Sequence, residues 1–242
     1  MTATWKYLAA AVAGVAVGAS AIGLAADKGA DKGAAPADRA AMEAVVRDYI
    51  LAHPEIIPEA LTRLEARQTA RLIGQYRRQI ETPFPGAVAG NPAGDVVLVE
   101  YFDYACGFCR QSVADVDRLL AADPGLKVVF RELPILSPAS EEAARASLAA
   151  AAQGRFLAFH RALYKAGRLS PESIAAARTQ AGVTGAAAAS AQAELDANLE
   201  VARALRFSGT PTFVVGDKVL SGAVGYDTLK AAVDEARAAK RG

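Results

Sequence analysis

Residues 96–110, VVLVEYFDYACGFCR, decide how this chain is read. An apolar, largely β-branched run (Val96, Val97, Leu98, Val99, then Tyr101 and Phe102) leads straight into the chain's two cysteines, Cys106 and Cys109. Residues 111–122 follow, QSVADVDRLLAA, with Val113, Val116, Leu119 and Leu120 at helical spacing. The pattern is strand, short turn, helix, with the cysteine pair at the helix N-terminus.

That placement points to chemistry. The first turn of a helix carries unpaired N–H groups and roughly half a positive charge, which favour a thiolate over a thiol. Cysteines at helix starts and in Cys-X-X-Cys pairs ionise well below the free value of ~8.5. Cys106 is expected outermost, forming a mixed disulfide with a partner. Cys109, one turn in, is expected to be more buried and to resolve it. Gly107 and Phe108 between them carry no charge, so they add no ionic stabilisation to a thiolate. A zinc site would need a second pair of ligands, and His53 and His160 lack the spacing to supply it. An inert disulfide here would close too small a loop to stabilise much. Glu100, six residues before Cys106, admits two readings. It is a strand-end acid facing solvent, or a partly buried acid below the pair that relays a proton to or from Cys109.

The N-terminus is a separate matter. After Lys6, residues 7–26 are uncharged and rich in Ala, Val and Gly. This reads as an export signal or a membrane anchor. Ala19-Ser20-Ala21 permits cleavage, and the run is also about long enough to span a bilayer at ~20 residues. Either way the chain leaves the cytoplasm, which suits cysteines that cycle through a disulfide. Residues 27–38, with a DKGA repeat, form a polar linker.

Residues 39–81 form a helical arm. Val45, Val46, Tyr49 and Ile50 give one amphipathic helix, and His53-Pro54 interrupts it. A second carries Ile57, Leu61, Leu64, Leu72, Tyr76 and Ile80 as a narrow stripe. The arm, about 40 Å long, must lie on its own domain or on copies of itself. Residues 82–94 hold three prolines and three glycines and read as an extended linker.

Beyond the motif helix, residues 127–131 give a second strand, and strand, helix, strand make a parallel βαβ unit. Four helices follow, over about 141–154, 156–165, 171–182 and 186–205, the first capped by Ser140 and the third by Ser170. They form an Ala-rich insert at about 138–206, and His160 within it reads as a core or rim residue. Residues 213–215 and 219–223 make a hairpin around Gly216-Asp217-Lys218, and residues 226–240 close the chain as a helix. Pro211, just before the hairpin, is either a cis proline that leaves backbone free to pair with an extended peptide or an ordinary trans proline.

Together these residues resemble the DsbA-type branch of the thioredoxin fold, over residues 95 to about 240. The resemblance rests on the Cys106-Gly107-Phe108-Cys109 motif after a strand, the acid at Glu100, the helical insert, and Gly209-Thr210-Pro211-Thr212-Phe213 before the hairpin. It implies an α/β thioredoxin fold with an inserted helical subdomain, preceded by the N-terminal arm. It implies that Pro211 is a cis proline facing the pair, that Thr210 lies in the substrate loop, and that Glu100 is the family's buried acid. Cys106, Cys109 and Glu100 are then the catalytic candidates, and Gly107, Phe108, Thr210 and Pro211 the substrate-binding ones. GNPAGDVVLVEYFDYACGFC, RELPILSPAS, GTPTFVVGDKVLSGAVGYDTL and the arm's YILAHPEIIPEAL are similar to one subgroup, the suppressor of copper sensitivity protein C (ScsC) proteins, some of which trimerise through the N-terminal region. CGFC departs from both patterns. It lacks the histidine of strongly oxidising DsbA, has Gly where the subgroup often has Pro, and resembles the motif of disulfide isomerases.

The implied function is an exported, periplasmic thiol–disulfide oxidoreductase. It would act on cysteine-containing proteins, with a membrane redox partner, no cofactor and no metal, as a homo-oligomer through the arm. Two alternatives stand beside it: a copper(I)-sequestering protein using two soft thiolates, and a chaperone without redox turnover. A net charge of +1 gives no case for nucleic acid, and no phosphate-cradling or nucleophilic-serine motif is present.

Overall fold

The computed structural model describes residues 36–241, with side chains from Asp38 onward. The expected signal or anchor at 7–26, and most of the linker at 27–38, lie outside the described residues. The chain divides into two units at Pro54–Glu55. In the first, α1 (Pro36–Ala52) exposes Met42, Val45, Val46, Tyr49 and Leu51. It begins before the predicted arm boundary at residue 39.

The second unit opens with α2 (Ile56–Glu81). One continuous stripe was expected on this helix, but two are found. Ile57, Leu61 and Leu64 are exposed, whereas Ile73 and Ile80 are buried, with Tyr76 packed beside them. At 3.6 residues per turn the two groups lie about 120° apart around the helix. The C-terminal half of α2 is therefore part of the second unit's core. Leu72, assigned to the stripe from its spacing, is only half-buried, and Ile73 takes the core position.

The sheet has the order β1-β3-β2-β4-β5. Central β2 (Val96–Phe102) pairs in parallel with β3 (Leu126–Glu132) and antiparallel with β4 (Thr212–Val215). The β2–β3 crossover runs through α3 (Gly107–Ala122), and β5 (Lys218–Ser221) returns from β4 across Gly216-Asp217. β1 (Val88–Gly90) lies inside the segment read as a linker and pairs antiparallel with β3. It ends at Gly90, where φ is +77° and a Cβ would stand 2.4 Å from the Leu126 carbonyl oxygen.

Alternation along β2 and β3 builds two cores. Val96, Leu98, Phe102, Val128 and Phe130 face α3, the inserted helices and α8 (Tyr226–Ala239). Val99, Tyr101 and Val129 face α2 and α7 (Ser190–Ala204). The insert holds α4 (Pro138–Ala152), α5 (Phe156–Lys165) and α6 (Pro171–Ala181) before α7. The cap of α4 is Ser137, whose side chain accepts the Ser140 N–H, not Ser140 itself. Ser137 is extended, as the residue before Pro138 must be, and that geometry is the one a cap needs. Ser170 caps α6 in a capping box, and Gly182 closes it in the left-handed conformation.

Candidate active site

Sheet register brings the two ends of the site together. Tyr101 on β2 pairs with Thr212 on β4, so the turn leaving β2 and the loop entering β4 emerge at one end of the sheet. Cys106 sits in the first and Thr210-Pro211 in the second, where the peptide bond is cis. The Cys106 thiol donates to the Thr210 carbonyl at 3.1 Å, and its sulfur accepts the Cys109 N–H at 3.4 Å. Cys106 is the N-cap of α3, with its backbone extended, so its sulfur lies over the free N–H groups of the first turn.

Both cysteines are free thiols. Cys106 keeps 6% of its surface exposed and Cys109 none. Phe108 between them stands out in solvent, and Gly107 has no neighbour within 4 Å of a built Cβ. Burial pushes the Cys109 thiol well above its ordinary range; the Asp103 backbone opposes this, and the nearby Glu100 and Cys106 add to it. Thr210 Oγ1 is buried without a hydrogen-bond partner beside them.

Glu100 is 2% exposed, so the reading of a solvent-facing acid at a strand end is set aside. It lies opposite Phe130 on β3 and Phe213 on β4. A narrow cavity with room for about one water joins it to Val113, Val116, Asp117, Leu157, His160 and Arg161. Burial without an ionic partner raises its pKa to about 8.

Residues 84–235, more than half of the chain, match the family described as Thioredoxin. This chain belongs to the thioredoxin family. Its branch is the DsbA-type, ScsC-like one, because residues 38–71 also match the Copper resistance protein ScsC N-terminal domain. A linker-deletion variant of Proteus mirabilis ScsC is similar at 26% identity, with a TM-score of 0.69 over 86% of this chain and 99% of that one. A thioredoxin-like oxidoreductase from Silicibacter pomeroyi DSS-3 is 38% identical, with a TM-score of 0.62 over 66% of this chain and 97% of that one. Among curated relatives, the Na(+)/H(+) antiporter NhaA 1 of Mycobacterium sp. (strain KMS) is 40% identical over 80 residues; the match spans 32% of this chain and only 13% of that protein.

Around this thioredoxin-family site lies a set of buried polar groups, of which sequence reasoning marked only His160, as a core or rim residue. Glu132, opposite Phe102 on β3, is 2% exposed, and its Oε1 has no partner. Burial holds its carboxyl well above the usual range. The Tyr104 hydroxyl bonds to Ser147 Oγ at 2.9 Å and His160 Nδ1 at 3.2 Å. His160 is a core residue, lowered to about 3 by burial and the Arg161 charge and therefore uncharged. The Phe102 ring packs against His160 and Tyr104 at 5.0 and 5.2 Å. Asp103 was missed as well, although it stands within the opening motif; its carboxylate accepts three backbone N–H groups. Among the described residues no group of three or more His, Cys, Asp or Glu could hold a metal ion.

Proposed function

We propose that this chain is an exported thiol–disulfide oxidoreductase acting in the periplasm on cysteine-containing proteins, through Cys106 and Cys109. The observation that carries this reading is the position of Cys106 Sγ, at the N-cap of α3 and 3.1 Å from the Thr210 carbonyl on the cis-proline loop. An extended substrate strand pairing with that loop would bring its own sulfur onto Cys106.

In the reducing direction the Cys106 thiolate attacks a substrate disulfide. A mixed disulfide forms and one substrate thiolate leaves, taking up a proton. Cys109 then loses its proton and attacks Cys106 Sγ; the substrate's second thiolate leaves, and the pair is oxidised by two electrons as the substrate gains them. Oxidation of a substrate dithiol is the reverse. In isomerisation the released substrate thiolate attacks another disulfide of the same protein, with no net electron transfer. Glu100 lies on the Cys109 side of β2; once it has released its own proton to solvent, its carboxylate takes the Cys109 proton in the resolving step, since the buried thiol ionises poorly alone.

The exposed apolar residues of α1, and those of the first half of α2, support a homo-oligomer formed through the arm. Several active sites would then face one misfolded substrate, which favours isomerase work. Replacing Cys106→Ser tests the reading: turnover of a scrambled-disulfide substrate should fall to background, and full retained activity would refute it. Light scattering of the Leu61→Ser/Leu64→Ser variant tests assembly, with a smaller particle expected. Deleting residues 39–81 would be a poor test, because it removes Ile73 and Ile80 from the core.

A further inference from the structure

Asp103 is 1% exposed and lies in the turn between β2 and Cys106. Its Oδ1 accepts the Ala105 N–H at 2.8 Å, and its Oδ2 accepts the N–H groups of Ile135 and Leu136, each at 2.9 Å. Its backbone carbonyl accepts the Cys106 N–H at 3.0 Å and the Tyr164 hydroxyl at 3.1 Å. One side chain thus joins two loops: the catalytic turn and the segment between β3 and α4. Hydrogen bonds to a buried carboxylate are the strong kind, and three of them fix both partners in one geometry.

The second loop is unusual in what it displays. Outside α1 and α2, the exposed large apolar side chains among the described residues are Phe108, Ile135 and Leu136. Phe108 follows Cys106 by two residues. The other two are held to the Cys106 turn by the single Asp103 carboxylate. Leaving three such side chains in water at one end of a sheet is unfavourable unless a partner covers them.

We infer that Asp103 is a positioning residue that registers the Ile135–Leu136 loop against Cys106, so that the site prefers substrate cysteines flanked by apolar residues in an extended segment. This deepens the thiol–disulfide reading above and rests on it. The occupant is the substrate segment itself, because Asp103 ties the loop that bears these residues to the turn that carries the one sulfur a substrate must reach. The carboxylate holds the two loops at a fixed separation, so an apolar flank seated on Ile135 and Leu136 presents its cysteine to Cys106.

The test uses the full chain and three probes: glutathione disulfide, a mixed disulfide of a ten-residue cysteine peptide flanked by Leu and Phe, and one of the same length flanked by Ser and Gly. Wild type should prefer the apolar peptide. Asp103→Asn keeps the shape and loses the charge; it should reduce kcat/KM for the apolar peptide about tenfold more than for glutathione disulfide, mainly through KM. The ratio between the two peptides should approach one. Ile135→Ser/Leu136→Ser, on an exposed loop, should lose the same preference whether or not Asp103→Asn folds. Equal losses on all three probes in Asp103→Asn would assign Asp103 to simple support of the turn and overturn the inference. So would an apolar preference that survives in Ile135→Ser/Leu136→Ser. A wild type that does not exchange with glutathione at all would instead overturn the redox reading beneath it.

Discussion

Arg131 and Glu132 are neighbours on β3 and point to opposite faces of the sheet. On the α2 face, Arg131 is buried with a partner at every turn. It pairs with Glu194, bonds Asn198 Oδ1 at 3.2 Å, and donates to the carbonyls of Gln79, Ile80 and Thr82 at the end of α2. On the other face, Glu100 and Glu132 are buried with no ionic partner. The difference separates two uses of buried charge. A satisfied guanidinium fastens α2 to the sheet by closing off its last carbonyls. An unpaired carboxyl does the opposite for stability, because its charged form has no partner to offset the loss of water, and burial raises the pKa of both acids above the ordinary range.

The sharpest way to break this contrast is Arg131→Ala. It leaves Glu194 without its cation and the α2 carbonyls without donors, and should cost about 3–5 kcal/mol in urea denaturation. Glu132→Gln should stay within about 1 kcal/mol of wild type at pH 7, because burial without an ionic partner favours the uncharged carboxyl and the amide keeps its shape. Equal losses in the two variants would erase the distinction.

Next in size is the pH dependence set by Glu100. Its folded pKa of about 8 lies above the ordinary 4.5. Between those values the native chain holds a proton that the unfolded chain releases, so stability falls as pH rises through this window and levels off above it. Glu100→Gln should remove that slope and be more stable than wild type at pH 8.5 by about 4–5 kcal/mol. Denaturation at pH 5 and pH 8.5 measures both. The same variant should slow the resolving step of exchange at neutral pH.

Smaller effects sharpen the comparison along α2. Ile80→Val removes one buried methyl from the packed half and should cost about 1 kcal/mol. Leu61→Ser in the exposed half should change the stability of the second unit by less than about 0.5 kcal/mol, measured by urea denaturation at low chain concentration.

Much of this was legible in residues 96–110 and 208–213, because periodicity marks strand and helix and the cysteine spacing marks the turn between them. β1 was not. Three residues among prolines and glycines carry no period, and Val88–Gly90 is a strand only because the free edge of β3 pairs with it. The two stripes of α2 were merged because spacing alone cannot say which residues meet the sheet. Asp103 and Glu132 were overlooked for a related reason. A single acid in a turn or at a strand end looks ordinary until the chain folds over it, and what distinguishes Asp103 is a loop 32 and 33 residues later in the chain.

The empty space around Gly107 bears on how this motif can be altered. Its backbone is not in the left-handed region, and no atom outside its immediate chain neighbours stands within 4 Å of where a Cβ would go. A side chain of any kind there enters water, not the core. A saturation library at this codon should therefore yield mostly well-folded proteins, and differences in reduction potential among its members would report the electrical influence of one residue on the sulfur beside it.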